Sequence, residues 1–251
     1  MKIIAVMPAY NAARTLEQTF RDIPPGVIDK IILVDDNSSD NTLEIAKQLG
    51  LITVIHSENR GYGAKQKTFY RMALERGADI VVMIHPDYQY DSRLTGYLVN
   101  FIKDGYFDIM LGSRIRTRRE ALEGGMPFYK YVANRFLTMI ENIISGQNLS
   151  EWHTGFRAYS RKVLETIPWQ NNSDDFVFDS QFLFQCVAFG FKIGEIPVPV
   201  RYHEKSSSIT FVHSAIYGFL TLKVALLFLF KKIKVSSPDL FKKGSEENLQ
   251  N

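Results

Sequence analysis

Cysteine is almost absent: Cys186 is the sole one in 251 residues, so a disulfide framework is excluded and a reducing compartment is implied. The five histidines, at 56, 85, 153, 203 and 213, show no metal-ligand spacing, and no cysteine pair supports them as zinc ligands. Glycine is missing from the first loop, Pro8-Ala9-Tyr10-Asn11. That loop is therefore neither a dinucleotide fingerprint nor a phosphate-cradling P-loop, which argues against a dehydrogenase, a P-loop ATPase and a nucleotidyltransferase alike. An excess of charge is lacking too. The net formal charge of +3 is too small to argue for a nucleic-acid partner. Internal repeats are absent, and the one polar, low-information stretch follows Val235. Met1-Lys2 leads directly into an apolar run with no signal-peptide pattern.

What remains is an alternation of short apolar runs and helical stretches. A hydrophobic content of 45% over this length is enough to bury one α/β domain, with or without an appendage. Lys2 to Met7, Ile31 to Val34, Leu51 to Ile55 and Val81 to Ile84 read as strands. Between them, helices are expected from about Ala12 to Asp22, Thr42 to Leu49 and Gly63 to Arg76. Strands that alternate with such helices imply parallel βαβ units and a doubly wound sheet with helices on both faces. The second half is less regular. Asp108 to Leu111 reads as a strand, and Pro127 to Ser145 and Asp179 to Phe189 read as helices. Lys192 to Tyr202 carries Pro197 and Pro199, so it can only be an edge strand.

In such sheets ligands collect at the carboxyl ends of the strands, and the polar clusters sit there. Pro8 to Asn11 follows the first strand and Asp35-Asp36-Asn37 the second. His85-Pro86-Asp87-Tyr88-Gln89 follows the fourth and offers an imidazole, a carboxylate and an amide at alternate positions. Oxygen donors at this place suit a hard divalent cation that bridges two phosphates, so Asp87 is read as the holder of a metal–diphosphate. Asp35 and Asp36 have a plain alternative as helix caps.

Six segments then carry a resemblance: Pro8-Ala9-Tyr10-Asn11, Val34 to Asp40, Asn59-x-Gly61-x-Gly63-Ala64, Asp87-x-Gln89, Gly112-Ser113-Arg114 and Thr154-Gly155-Phe156-Arg157. In this order, over about residues 1–205, the chain resembles family 2 nucleotide-sugar glycosyltransferases, especially the branch similar to dolichyl-phosphate mannose synthase. The resemblance implies a Rossmann-like A-type glycosyltransferase fold, a nucleoside-diphosphate sugar donor, Mg²⁺ or Mn²⁺, and inversion at the anomeric carbon. It assigns the metal to Asp87 with help from Gln89 and His85, and places Pro8, Tyr10, Asp35 and Asp36 at the nucleoside. Ala9, Asn11, Gly63, Lys65, Arg157, Arg201 and Lys205 join His85 as implied donor contacts, and Arg114 faces phosphate. His85 stands where the family carries the first aspartate of an Asp-x-Asp. Its imidazole is a softer ligand, better matched to Mn²⁺ than to Mg²⁺.

The acceptor decides the rest of the chemistry. A lipid phosphate is already anionic near pH 7, with a second pKa of about 6, and needs no base. A sugar hydroxyl needs one, for which Glu151 and His153 are the candidates. The basic run of Arg114, Arg116, Arg118 and Arg119 is expected to favour an anionic headgroup. Ile209 to Phe230 is long enough to span a bilayer. A stripe of His213, Ser214, Tyr217 and Thr221, with lysines directly after, suits a helix lying on a membrane surface, with an ordinary core or dimer helix as the alternative. The expected division is a catalytic domain over 1–208, an amphipathic helix over 209–234 and a flexible tail over 235–251, in an enzyme peripheral to the cytoplasmic face of a membrane. The main expectation is transfer to a polyprenyl phosphate or lipid-linked glycan. Soluble transfer to a hydroxyl acceptor and non-catalytic binding of sugar nucleotides are the alternatives.

Overall fold

The structure is a computed structural model that describes residues 1–115, 117–199, 211–236 and 238–242. Strands and helices alternate through the first half: β1 (Ile3–Ala9), α1 (Leu16–Arg21), β2 (Lys30–Asp35), α2 (Thr42–Gln48), β3 (Ile52–Ile55), α3 (Tyr62–Glu75) and β4 (Ile80–Met83). The second half adds α4 (Thr95–Lys103), β5 (Ile109–Ser113), α5 (Arg118–Glu123), α6 (Phe128–Ser145), β6 (Arg157–Ser160), α7 (Arg161–Thr166), α8 (Phe178–Ala188), β7 (Ile193–Pro197) and α9 (Phe211–Lys232). The strands form one sheet in the order β3-β2-β1-β4-β6-β5-β7. All pairs are parallel except those of β6, which runs antiparallel to both β4 and β5. Helices cover both faces, as the alternation of elements requires.

Alternation along β1 feeds two cores. Ile4 and Val6 join Val34, Met83, Phe69 and the aromatics of α8 on one face, while Ile3, Ala5 and Met7 join Leu33, Val82 and Leu98 on the other. Pro8, expected to end the first strand, lies inside it. The Val6 carbonyl accepts from Ile84 on the β4 side, and Pro8, two residues on, points the same way, to where β4 has already ended. Its missing N–H therefore costs no ladder bond.

The antiparallel β6 was not legible from its short sequence, and it has the largest consequence for the site. Because Arg157 pairs with Met83 and Leu111, the segment that leads into β6, residues 151–156, emerges at the carboxyl ends of β4 and β5. Two remote stretches of chain are thereby set side by side.

The last helix packs in part into the core, one of the readings its sequence left open. Thr221 is buried, and the Ser180 hydroxyl of α8 lies 3.3 Å from the Tyr217 hydroxyl and 3.2 Å from that of Thr221. The polar stripe thus turns inward, toward partners, as buried hydroxyls must. Val224, Ala225 and Phe228 enter the main core, with the Phe228 ring 5.1 Å from Phe184 and 5.8 Å from Phe241. Phe241, within the stretch expected to be a loose tail, is only 4% exposed. The outward face of α9 carries Ile216 and Phe219, the latter 71% exposed.

These two faces predict a contrast measurable by urea unfolding. Phe228→Ala should cost about 3–5 kcal/mol of stability. Phe219→Ala should stay within about 0.5 kcal/mol of the parent.

Candidate active site

Strand order reverses between β1 and β4, and their carboxyl ends open into a cavity of about 1390 Å³. Of the residues singled out in the sequence, Pro8, Tyr10, Asn11, Lys65, His85, Asp87, Gln89 and Arg114 line it. Helix α6 contributes Lys130 and Asn134, the loop before β6 contributes His153 and Gly155, and α9 contributes His213 and Tyr217.

The β4 loop is shaped by an unusual backbone. Tyr88 has φ 57°, a conformation rare outside glycine, and its hydroxyl donates to Asp22 Oδ2 at 2.7 Å, away from the cavity. With Tyr88 turned toward α1, its neighbours Asp87 and Gln89 both remain on the cavity wall. Asp87 Oδ1 accepts the Gln89 backbone N–H at 3.0 Å, an Asx turn that orients the carboxylate.

His85 is seated against Gly155. A Cβ at position 155 would lie 2.4 Å from His85 Nε2, so only glycine allows this approach. His85 Nε2 is also 3.3 Å from the Tyr62 hydroxyl, which donates to Asp179 Oδ2 at 3.1 Å. Burial pushes the imidazole pKa down, against the opposing pull of the Asp87 and Asp179 carboxylates. The neutral ring that results is the form able to bind a metal. Phe176 stacks on Tyr62 with centroids 5.4 Å apart and forms part of the same wall.

The two aspartates at the end of β2, Asp35 and Asp36, are internal braces. Asp35 is buried and accepts the Ser38 N–H at 2.8 Å, and the Ser38 hydroxyl in turn accepts the Asn11 N–H at 2.8 Å. Asp36, also buried, accepts from Lys65 Nζ at 2.9 Å and from the N–H groups of Arg60 at 3.0 Å and Gly61 at 3.1 Å, and its Oδ1 is 2.8 Å from His56 Nδ1. Burial alone would raise its pKa, but the Arg60 N–H, Lys65 and His56 more than offset that, and the net shift is downward. These carboxylates hold the donor loops in place without lining the cavity.

Several expected contacts are corrected in the same way. Ala9 is buried within β1. Gly63 meets the α8 approach instead of a ligand: its N–H donates to the Asp174 carbonyl at 2.7 Å, and a Cβ would sit 2.2 Å from the Ser173 carbonyl. Arg157 is fully buried, donating to the Trp152 and Thr154 carbonyls and facing Asp179 at 3.4 Å. Arg201 and Lys205 lie outside the described residues, as does Arg116. Arg118 and Arg119 are exposed, with Arg119 paired to Glu123, so of the described basic run only Arg114 reaches the cavity.

Glu151 is not placed as a base. It is fully buried and accepts from the Arg114 backbone N–H at 2.7 Å, from Arg114 Nε at 2.8 Å, from Arg114 Nη2, and from Asn134 Nδ2 at 2.9 Å. Burial pushes its carboxyl up, yet the Arg114 charge and hydrogen bonds carry it below the ordinary value. Its role is to aim Arg114, whose guanidinium lies 6.0 Å from the Tyr90 ring.

The fit of a divalent cation can be judged from the donors. Asp87, Gln89 and His85 offer a carboxylate, an amide and a neutral imidazole on one loop. Among the described residues no cluster of three or more His, Cys, Asp or Glu could hold a metal by itself. An ion here would complete its shell with diphosphate oxygens and water, which is how Mg²⁺ is commonly bound. The residues fit.

Tyr62, Phe176, Asp179 and Lys130 were not legible in the sequence, and Tyr217 was legible only as part of a polar helix stripe. They come from distant stretches of the chain and carry no local motif; Asp179 reads as an ordinary acidic residue in a first helical turn.

Residues 4–168 match the family described as Glycosyl transferase family 2. A UDP-N-acetylglucosamine–dolichyl-phosphate N-acetylglucosaminyltransferase of Methanococcus voltae is 27% identical, over 88% of this chain and 96% of that one. A dolichyl-phosphate hexose transferase of Haloferax volcanii is also 27% identical, over 89% and 94% respectively. In solved structures, glucosyl-3-phosphoglycerate synthase of Mycobacterium tuberculosis in complex with UDP superposes with a TM-score of 0.69 at 19% identity, covering 97% of this chain and 86% of that one. The same enzyme with Mn²⁺, UDP and phosphoglyceric acid gives 0.68 at 19% identity, over 91% and 78%. This likeness shows a shared A-type glycosyltransferase fold.

The buried Glu151 yields a pH prediction. Its folded pKa lies below the unfolded value of about 4.3, so the unfolded chain binds more protons and stability falls as pH drops below that value. Urea unfolding at stepped pH should show this slope in the parent and a shallower one in Glu151→Gln.

Proposed function

The chain belongs to glycosyl transferase family 2, and from that premise we propose that it transfers a sugar, with inversion, from a nucleoside-diphosphate sugar to a polyprenyl phosphate. One observation carries this reading: a single cavity joins Asp87 at the nucleotide-type crevice to the cations Arg114 and Lys130, beneath helices whose outer faces are apolar. The M. voltae and H. volcanii relatives, named for dolichyl-phosphate transfer, support it.

In this mechanism an acceptor phosphate oxygen forms the new bond to the anomeric carbon as the bond to the diphosphate oxygen breaks. The electron pair leaves with the nucleoside diphosphate. No proton must be removed from the acceptor, because a phosphate monoester is already ionised near pH 7, with a second pKa of about 6. Glu151, committed to Arg114, is then not required as a base. Pro8, Tyr10 and Asn11 bound the nucleoside end, and Lys65 faces the diphosphate. Asp87, Gln89 and His85 would hold Mg²⁺ or Mn²⁺, which supplies positive charge against that growing on the leaving diphosphate. The solved relatives contain Mn²⁺ or Mg²⁺ with UDP at the corresponding fold.

The acceptor's apolar tail needs a surface. Helix α6 exposes Phe128, Val132, Phe136, Met139 and Ile143 at helical spacing, with Phe136 51% and Ile143 72% exposed. Ile216 and Phe219 extend this face onto α9, which packs on α6. One helix segment among the described residues, His213–Lys232, is long and apolar enough to cross a membrane, and 22% of its window is buried. With Lys231 and Lys232 at its end and part of it in the core, the two-helix face suits peripheral docking on anionic lipid at the cytoplasmic surface.

Two measurements test this. Asp87→Ala should lower transfer at least about a hundredfold while the melting curve is kept; undiminished turnover overturns the metal–diphosphate role. The parent should sediment with anionic vesicles and the Phe136→Asp, Phe219→Asp double variant should not; equal sedimentation overturns the docking face.

A further inference from the structure

One buried cluster on the cavity wall is not used by the chemistry above. Glu141 of α6 is fully buried, and among the described residues neither carboxylate oxygen has a hydrogen-bond donor in good geometry. Its polar neighbour is His153, whose Nε2 lies 3.1 Å from Glu141 Oε2 without the alignment of a hydrogen bond. The other ring nitrogen, Nδ1, is 2.7 Å from the Tyr217 hydroxyl of α9. A carboxylate, an imidazole and a phenol therefore neighbour one another across three elements, the imidazole hydrogen-bonded to the phenol and close to the carboxylate, and both His153 and Tyr217 line the cavity. A buried carboxylate left with one such neighbour is costly to keep for packing alone.

We propose that Tyr217 is a binding residue for the acceptor phosphate and that Glu141 and His153 are positioning residues that aim its hydroxyl. This rests on the functional reading above, since it presumes an anionic acceptor. The direction of each hydrogen bond follows from what the groups can do. A phosphate oxygen only accepts, so Tyr217 must donate its hydrogen to it. The Tyr217 oxygen then accepts from His153 Nδ1–H, and the opposite ring nitrogen, Nε2, is the one beside Glu141. Burial and the Glu141 carboxylate push the Tyr217 pKa well up, so the phenol keeps the hydrogen it donates. Ser180, 3.3 Å from Tyr217, holds the ring from the α8 side. The cations that share this wall are Arg114 and Lys130, which supply charge, whereas Tyr217 supplies a directed hydrogen bond.

The test uses the full chain with a short-chain polyprenyl phosphate as acceptor. Tyr217→Phe removes one oxygen and leaves the ring, and it should raise the acceptor KM about tenfold or more with the donor KM unchanged. Glu141→Gln should act in the same direction. The double variant should be no worse than Tyr217→Phe alone, since the carboxylate acts through the hydroxyl. An unchanged acceptor KM in Tyr217→Phe, an equal rise in donor KM, or additive effects in the double variant would each overturn the relay. The parent's own acceptor profile tests the functional reading separately. If the parent glycosylates a sugar hydroxyl and not the polyprenyl phosphate, that reading fails and the phosphate contact fails with it. If the parent uses the phosphate and the variants behave like it, only the relay fails.

Discussion

The site depends on one buried charge. Arg157, at the first position of antiparallel β6, has no solvent exposure, and a guanidinium so placed must find all its partners inside the protein. It finds them on two walls of the cavity: the Trp152 and Thr154 carbonyls of the loop before β6, and Asp179 at the start of α8. Asp179 in turn takes the Tyr62 hydroxyl at 3.1 Å and Gln66 Nε2 at 2.7 Å, which ties in α3. The loop held by Arg157 then presents Gly155 to His85. Several segments of the cavity wall are thus fixed by a residue that does not line the cavity.

The cavity is electrically divided. At the β4 loop the chain offers Asp87 and a neutral imidazole, a place for a cation and its phosphates. Across the cavity Arg114 and Lys130 supply positive charge. Arg114 is held there by a carboxylate that could otherwise have served as a base, and the same interaction that aims the cation takes Glu151 out of acid–base chemistry. Lys130 has its pKa lowered by burial and by Arg114, as expected where two cations share a wall that an anion would neutralise.

The inward turn of the α9 polar stripe revises the picture of membrane contact. An isolated amphipathic helix would present its polar side to water and its apolar side to lipid. Here the polar side serves the cavity, and both α9 and α6 expose apolar residues on their outer faces. On the proposed lipid-phosphate acceptor, the headgroup would meet the inner side of this helix pair and the chain its outer side.

By itself the sequence determined the alternating βαβ order, the crevice loops of Pro8–Asn11 and His85–Gln89, and membership of a nucleotide-sugar family. Periodicity and strand-end chemistry are local, and they are written within a few residues. It also marked Asp35, Asp36, Glu151 and Arg157 as notable, but not whether their charges meet a ligand or the protein's own backbone. That was decided by tertiary structure, because burial and partners come from elements far apart in the chain: Arg157 from Asp179, Glu151 from Arg114, Asp36 from Lys65. The reversal of β6, the seat of His85 on Gly155 and the meeting of Glu141, His153 and Tyr217 belong to the same class. Each is a contact between segments whose separate sequences carry no record of one another.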